Sequence, residues 1–184
     1  MNEKLPSSQM ALSFLSECGC SKRVMAHCEA VSALAVRFAR ACEKKGLPVD
    51  VNLVEVGALL HDIGRSKTHD VNHAIVGVEI GKSLNLPESI LSIIERHIGG
   101  GITADEAKNL GWPVKDYVPT TLEEKLVTYA DKLIEGSRVV PIEKTIEKFS
   151  RELGVGHPAI DRVIRLHEEL FHLIGDLNAD SHIT

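Results

Sequence analysis

Apolar side chains recur along most of this chain at intervals of three and four residues, which is the spacing of one face of an α-helix. The clearest stripe runs over residues 22–45 and stops at a Gly-Leu-Pro sequence. Residues 51–62 are apolar almost all round, which predicts a central buried helix that ends before Gly64. The same spacing predicts further helices over 7–17, 73–84, 87–98 and 121–136, and two more that begin at Pro141 and Pro158. We therefore expect an all-α fold, and no segment favours a β-strand.

Residues 99–121 interrupt the helical pattern. Three consecutive glycines begin the segment, and Thr103 with Glu106 has the spacing of a capping box, which predicts a short helix. Trp112 and Tyr117 follow in a loop. Two hypotheses remain open for this insert. It forms a lid whose aromatic rings stack on a nucleotide base, or it forms a structural loop whose aromatic rings fill the core.

Length and charge limit the classes of partner. The 184 residues suit one domain, which we place at 1–178, followed by a polar tail at 179–184 that we expect to be disordered. The net charge of −5 and the lack of a Lys/Arg run argue against a nucleic acid duplex as partner. No apolar run approaches the roughly 18 residues that span a bilayer, and the amino terminus does not look like a signal peptide. We therefore expect a cytoplasmic protein without membrane contact, whose four cysteines are reduced.

The strongest chemical signal is His61-Asp62 at the end of the most apolar helix. A buried carboxylate without a partner is costly, so a cation or a metal ion is the usual solution. By itself the dipeptide is explained as well by local hydrogen bonds. Four other candidate ligands lie on the buried side, or at an end, of helices that must pack together: His27, His73, His97 and Asp131. Imidazole and carboxylate groups suit first-row transition metals such as iron, manganese and zinc.

The order His27, His61-Asp62, Asp131 resembles the H…HD…D pattern of the HD superfamily of metal-dependent phosphohydrolases. The segment LLHDIGR resembles the family's hhHDIGK motif, with Arg65 in place of the frequent lysine, and YADKL resembles the helix with the last aspartate. The resemblance covers the chain from His27 to Arg138 and is best for small, stand-alone HDIG-type proteins. It implies a compact HD-domain helical bundle, with a metal-binding core at 22–138, a short helix-containing insert and C-terminal helices.

The resemblance also implies the roles of the site residues. His27, His61, Asp62 and Asp131 would hold a first metal ion, and Asp62 would bridge to a second ion held by His73 and His97. The ions would be iron, manganese or zinc, with magnesium, cobalt and nickel as alternatives. Residues implied in catalysis are Asp62, Arg65 and Lys132. Residues expected to contact the substrate are Arg65, Lys67, Lys132, Arg138 and Trp112.

The implied activity is hydrolysis of a phosphomonoester or phosphodiester bond, in a nucleotide, by a metal-activated water. An alternative is a non-catalytic module that keeps the metal and senses a nucleotide, and a third is a purely structural metal. No Gly-Tyr-Pro element follows the HD segment, which argues against a cyclic di-GMP phosphodiesterase of the HD-GYP type. The expected partner is a small phosphorylated substrate, and the C-terminal helices either complete the core or form a homodimer.

Overall fold

A computed structural model describes residues 4–175, and most of that range is helical. The prediction of an all-α fold is confirmed. The helices are α1 (Ser8–Glu17), α2 (Lys22–Lys44), α3 (Val51–Leu60), α4 (His73–Ser83), α5 (Glu88–Arg96), α6 (Ala104–Asn109), α7 (Leu122–Lys132), α8 (Ile142–Leu153) and α9 (Pro158–Ile174). A short 3₁₀ helix, Ile63–Ser66, follows α3.

Helices α6 and α7 begin at capping boxes that the sequence supplies. Both predicted capping boxes are confirmed: Thr103 and Thr121 accept hydrogen bonds from the backbone N–H of Glu106 and Glu124. Each glutamate carboxylate in turn accepts the backbone N–H of its threonine. These reciprocal bonds satisfy N–H groups that the first turn of a helix leaves without a partner, so α6 and α7 begin at fixed residues.

Two clusters of buried apolar residues lie on either side of α3. The first joins α2, α3, α7 and α9 and includes Phe38 and Leu170. The second joins α1, α2, α3 and α5 and includes Leu15 and Ile90. Because α3 contributes side chains to both clusters, its last turn is held on two sides. His61 follows this turn directly and is fully buried.

The segment after α7 differs from the prediction. The helix that we expected to reach about residue 136 ends at Lys132, and the chain forms an antiparallel pair of short strands, β1 (Ile134–Glu135) and β2 (Arg138–Val139). Gly136 has a φ of +64°, a left-handed conformation that glycine adopts without steric cost. The turn at Gly136 therefore reverses the chain, and the expectation of no strand was wrong at this point.

The insert at 99–121 has a small core of its own. Four buried residues of the insert pack with Ala74 of α4, namely Ile102, Ala107, Trp112 and Tyr117. Trp112 is only 6% exposed, and its indole N–H donates to Asn72 Oδ1 over 2.7 Å. The structure thus favours the structural-loop hypothesis. The lid hypothesis, in which Trp112 stacks on a nucleotide base, gains no support, because burial in this cluster removes most of the ring from solvent.

Gly64 allows the turn after His61-Asp62 to pack directly on α4. A Cβ atom at this position would lie 1.9 Å from the carbonyl oxygen of His73 and 2.7 Å from the backbone nitrogen of Gly77. Both distances are far shorter than a van der Waals contact. The 3₁₀ helix and the first turn of α4 therefore approach each other as closely as they do only because residue 64 is glycine.

Other expectations concern the core and the chain ends. Cys28 and Cys42 are fully buried, and the four cysteines are free thiols. Among residues 4–175, no helix is long and apolar enough to cross a membrane. The predicted disordered tail, 179–184, lies outside the described residues.

Candidate metal centre

Four histidines direct the same ring atom, Nε2, towards the carboxylate of Asp62. In each, Nδ1 is within hydrogen-bond distance of a backbone carbonyl oxygen. The distances are 2.9 Å from His27 to Gly136, 2.6 Å from His61 to Ala58, 2.6 Å from His73 to Asp70 and 2.7 Å from His97 to Ile94. Because a carbonyl only accepts, each Nδ1 carries the proton and donates it. The lone pair of each Nε2 is then free for a metal ion, which is the usual arrangement of histidine ligands.

The carboxylate of Asp62 lies between two pairs of these histidines. Its Oδ2 atom is 3.9 Å from Nε2 of His27 and 3.8 Å from Nε2 of His61. Its Oδ1 atom is 3.0 Å from Nε2 of His73 and 3.4 Å from Nε2 of His97. Each oxygen atom therefore faces a different pair of imidazoles.

Asp131 approaches the first of these pairs from α7. Its Oδ1 atom is 2.9 Å from Nε2 of His27 and 3.5 Å from Nε2 of His61. Its Oδ2 atom accepts a hydrogen bond from the ammonium group of Lys132. His27, His61, Asp62 and Asp131 therefore surround one point from four segments of the chain, and His73 and His97 lie on the opposite side of Asp62.

Polar atoms without partners show that these residues fit a metal ion. Nε2 of His61 and Oδ1 of Asp62 are buried, and neither has a hydrogen-bond partner among the described residues. The Nε2 atoms of His73 and His97 face each other over 3.0 Å although both rings carry their proton on Nδ1. Buried polar atoms without partners and opposed lone pairs are costly. Divalent cations bound to these atoms would remove these costs. Two groups of donor atoms each lie within 4.8 Å of one another, one from His27, His61 and Asp131 and one from His61, Asp62 and His97, so this cluster is able to hold a metal ion.

The electrostatics keep the two carboxylates charged and His97 neutral. Burial lowers the pKa of His61, but Asp62 and Asp131 outweigh it and raise that pKa above its usual value. Burial raises the pKa of Asp62, but His61, His73 and His97 outweigh it and hold that pKa well below its usual value. Burial also raises the pKa of Asp131, but Lys132, His27 and His61 outweigh it and hold that pKa well below its usual value. Burial lowers the pKa of His97 to about 4. At neutral pH the carboxylates are therefore charged and His97 is neutral, as metal binding requires.

Two predicted basic residues contact the ligand carboxylates themselves. Arg65 Nε donates to Asp62 Oδ2 over 2.6 Å, and its Nη1 donates to the carbonyl oxygen of His69 over 3.2 Å. Lys132 donates to Asp131. Both cations also line the cleft that opens above the ligands. They can therefore balance charge on the ligand carboxylates and still lie beside a molecule in the cleft.

The other predicted substrate contacts do not reach this cleft. Lys67 is exposed in the turn after the 3₁₀ helix, and Arg138 is exposed on β2. Neither residue lines the cleft, and Trp112 does not line it either. Lys67 is close in sequence to the HD pair, and Arg138 is close to Asp131. The turn and the hairpin nevertheless direct these two side chains away from the cleft.

The cleft itself has a volume of about 940 Å³. It contains basic residues that the sequence analysis did not identify, namely Arg23, Lys144, Lys148 and Arg151. Three of them lie on α8 at the spacing i, i+4, i+7, which places them on one face of the helix. That spacing was visible in the sequence, but only the packing of α8 shows that this face borders the cleft. The carbonyl of Gly136, which holds His27, was also missed.

Comparisons with known proteins identify relatives over nearly the whole chain. An uncharacterized protein of Methanocaldococcus jannaschii is 51% identical over 166 residues, which cover 90% of this chain and 98% of that protein. A tRNA (cytidine(56)-2'-O)-methyltransferase of Picrophilus torridus is 42% identical over 171 residues, which cover 93% of this chain and 48% of the methyltransferase. The chain thus spans almost all of the first relative and about half the length of the second.

More distant similarities extend to two other kinds of protein. A Ribonuclease Y of Acidothermus cellulolyticus is 27% identical over 127 residues, which cover 65% of this chain and 23% of that protein. The HD domain of the phosphodiesterase PgpH from L. monocytogenes, solved in complex with cyclic-di-AMP, superposes with a TM-score of 0.54. It is 21% identical and covers 95% of this chain and 98% of the PgpH chain, so it shows a shared fold.

The family model of the HD domain matches residues 24–136. This range is more than half of the chain, and it contains all six residues that converge in the candidate metal centre. The expected resemblance is therefore confirmed, and the fold of PgpH agrees with it. The chain belongs to the HD domain family.

Proposed function

We propose that this protein is a metal-dependent phosphohydrolase that cleaves a phosphoester bond of a nucleotide or a short oligonucleotide. The observation that carries the proposal is the division of Asp62 between two pairs of imidazole nitrogens, with one carboxylate oxygen facing each pair. Two metal ions held in this way are typical of sites that transfer phosphoryl groups. The names of two relatives, a phosphodiesterase and a ribonuclease, support a phosphodiester substrate.

We assign the ligands to two ions. His27, His61, Asp62 and Asp131 would hold the first, and Asp62, His73 and His97 would hold the second. The mixture of imidazole and carboxylate donors favours iron, manganese or zinc over the purely oxygen-liganded magnesium. When bound, such ions would supply Lewis acidity and would lower the pKa of water at the site towards neutrality.

The residues of the chain then orient and stabilise the phosphate. Arg65 uses Nε and Nη1 for its contacts with Asp62 and His69, and its Nη2 group has no partner within residues 4–175. That group can donate to a phosphate oxygen in the cleft, while Lys132 adds a positive charge beside Asp131. Both cations stabilise negative charge that develops on the phosphate oxygens in the transition state.

The methyltransferase relative does not lead us to propose methyl transfer. This chain matches about half of that protein, and the residues that converge here are candidate metal ligands. The name does favour a substrate derived from RNA, as does the similarity to Ribonuclease Y. With the net charge of −5, we propose a mononucleotide, dinucleotide or short single strand rather than a duplex.

Hydrolysis assays on the purified protein test the proposal. The protein is freed of metal with a chelator, supplied with manganese, iron or zinc, and given bis(p-nitrophenyl) phosphate and a panel of nucleotides and dinucleotides. We expect metal-dependent release of product that a His61→Ala variant does not show. Saturable nucleotide binding without turnover under every metal would contradict the proposal and favour the nucleotide-sensing alternative. Unfolding on chelation, with neither binding nor turnover, would favour a structural metal.

A further inference from the structure

Four basic side chains face the cleft outside the ligand cluster, and none forms an ion pair with another described residue. They are Arg23, Lys144, Lys148 and Arg151. All four are exposed. Arg65 and Lys132 differ from them, because each of those two already contacts a ligand carboxylate. The cleft therefore has one set of cations at the metal ligands and a second set that has no partner in the protein.

Helix α8 places three of these cations along the mouth of the cleft. Near its start, the hydroxyl of Thr145 donates to the carbonyl oxygen of Lys132, next to a ligand aspartate. Further along, the ring of Phe149 lies beside Gly99, two residues after the ligand His97. The helix thus runs from the Asp131 side of the site to the His97 side. Lys144, Lys148 and Arg151, which we call the basic row, follow the same direction.

The spacing of the row separates its charges along the cleft. A helix rises about 1.5 Å per residue, so Lys148 lies about 6 Å and Arg151 about 10 Å along the axis from Lys144. Three carboxylates that are not ligand candidates also line the cleft, Asp70, Glu135 and Glu147. None of the three pairs with the basic row among the described residues. The basic row therefore offers individual hydrogen-bond donors to a ligand, in a cleft that also has acidic residues.

We propose that Lys144 and Lys148, with Arg23 on α2, bind a second phosphate group of the substrate, other than the phosphate whose bond is cleaved. The inference rests on the proposed function and narrows its substrate class. The scissile phosphate would lie at the ligands with Arg65 and Lys132. A cleft of about 940 Å³ is in the range that holds a whole organic ligand. A dinucleotide or short oligonucleotide with an additional phosphate can contact both sets of cations, whereas a nucleoside monophosphate can contact only one set.

Two substrates and one charge-neutral double variant test this subsite. The variant is Lys144→Gln with Lys148→Gln, and the matched control is Lys82→Gln with Lys108→Gln, two exposed lysines that do not line the cleft. Each protein is assayed with manganese on bis(p-nitrophenyl) phosphate, which has one phosphate, and on a 5′-phosphorylated diadenylate, which has two. We expect KM for the diadenylate to rise about tenfold or more in the variant, with kcat within twofold. KM for the one-phosphate substrate should change less than twofold, and the control should match the wild type.

The salt dependence gives a second readout. In the wild type, KM for the diadenylate should rise with sodium chloride, and the rise should be shallower in the double variant because fewer charges contribute. An equal change of KM for both substrates, or no change for either, would overturn the subsite. If neither substrate is hydrolysed, the proposed function fails. The phosphate subsite is then tested by itself, by measuring the binding of the diadenylate to the wild type and to the double variant by calorimetry. Weaker binding by the variant supports it, whereas equal binding or no binding to the wild type overturns it.

Discussion

Arg65 Nε and Asp62 Oδ2 are 2.6 Å apart, so the arginine that follows the HD pair binds the same carboxylate oxygen that faces His27 and His61. The two residues are three positions apart, and the 3₁₀ turn between them brings the side chains together. Arg65 therefore has two functions available to it. It holds Asp62 in the orientation that divides its oxygens between two histidine pairs, and it presents its remaining donors to the cleft.

The first prediction concerns this contact. Arg65→Gln removes the charge and the hydrogen bond to Asp62, so we expect kcat/KM on bis(p-nitrophenyl) phosphate to fall about 10- to 100-fold, the usual effect of a residue that orients a metal ligand. Steady-state kinetics and elemental analysis measure turnover and metal content together. Arg138→Gln is the matched control, since Arg138 is exposed and does not line the cleft, and it should leave both unchanged. Wild-type kinetics in Arg65→Gln would show that the contact is dispensable.

The second prediction concerns the bridging carboxylate. Asp62→Ala removes a ligand atom from each half of the centre, so we expect it to abolish turnover and to remove most of the bound metal. Elemental analysis of protein purified without chelators measures the metal per chain. Asp161→Ala, in the exposed first turn of α9, is the control. Near-normal turnover in Asp62→Ala would contradict the metal centre as we describe it.

The third prediction separates the two proposed ions. His73→Ala and His97→Ala each remove a ligand on the Oδ1 side of Asp62, so we expect the metal content to fall from about two ions to about one per chain. His27→Ala removes a ligand on the Oδ2 side and should cost the other ion. His172→Ala, which alters an exposed residue of α9, should keep both. Retention of two ions by His73→Ala and His97→Ala would show that these histidines are not ligands.

The fourth prediction follows from the close contact at Gly64. Gly64→Ala places a methyl group where the carbonyl oxygen of His73 lies, so the 3₁₀ turn and α4 must separate. We expect a loss of about 1–3 kcal/mol in the free energy of unfolding, which is typical of overpacking. Because His73 begins α4, we also expect weaker binding of the ion on the Oδ1 side. Urea denaturation and metal titration measure the two effects, and a variant as stable as the wild type would contradict the packing.

The fifth prediction concerns the ion pair that ties the insert to α9. Arg162 Nη2 donates to Glu106 over 2.7 Å and 2.8 Å, and Arg162 Nε donates to the carbonyl oxygen of Gly101 over 3.0 Å. Burial raises the pKa of Glu106, but the hydrogen bonds from Arg162 and Thr103 outweigh it and lower that pKa below its ordinary value of 4.5. The carboxylate form is therefore stabilised by folding.

A lowered pKa in the folded state contributes stability above pH 4.5, and this contribution is lost as the pH falls through the folded-state pKa. We expect Arg162→Gln to lower the free energy of unfolding by about 1 kcal/mol at pH 7. The difference from the wild type should shrink as the pH falls below 4.5. Urea denaturation at a series of pH values tests this. A difference that does not depend on pH would show that Arg162 acts through packing rather than through its charge.

Much of the site's local geometry is encoded in short stretches of sequence. His61, His73 and His97 each place Nδ1 on the carbonyl oxygen three residues earlier, within or beside the same turn of helix. Such contacts need only a histidine at a helix end. His27 is different, because its Nδ1 partner is Gly136, far along the chain. That contact exists only because α7 ends at Lys132 and the hairpin brings the Gly136 carbonyl to α2.

The sequence by itself determined most of the helices, two capping boxes and the identity of the six ligand candidates, because helical periodicity, capping and ligand chemistry are properties of neighbouring residues. The tertiary structure alone decided how Asp62 divides its oxygens, that Trp112 is buried, and that Lys144 and Lys148 border the cleft. The physical reason is that a periodic pattern shows which face of a helix is apolar but not which element covers it. Contacts between segments distant in sequence settle that question, and these contacts form the site.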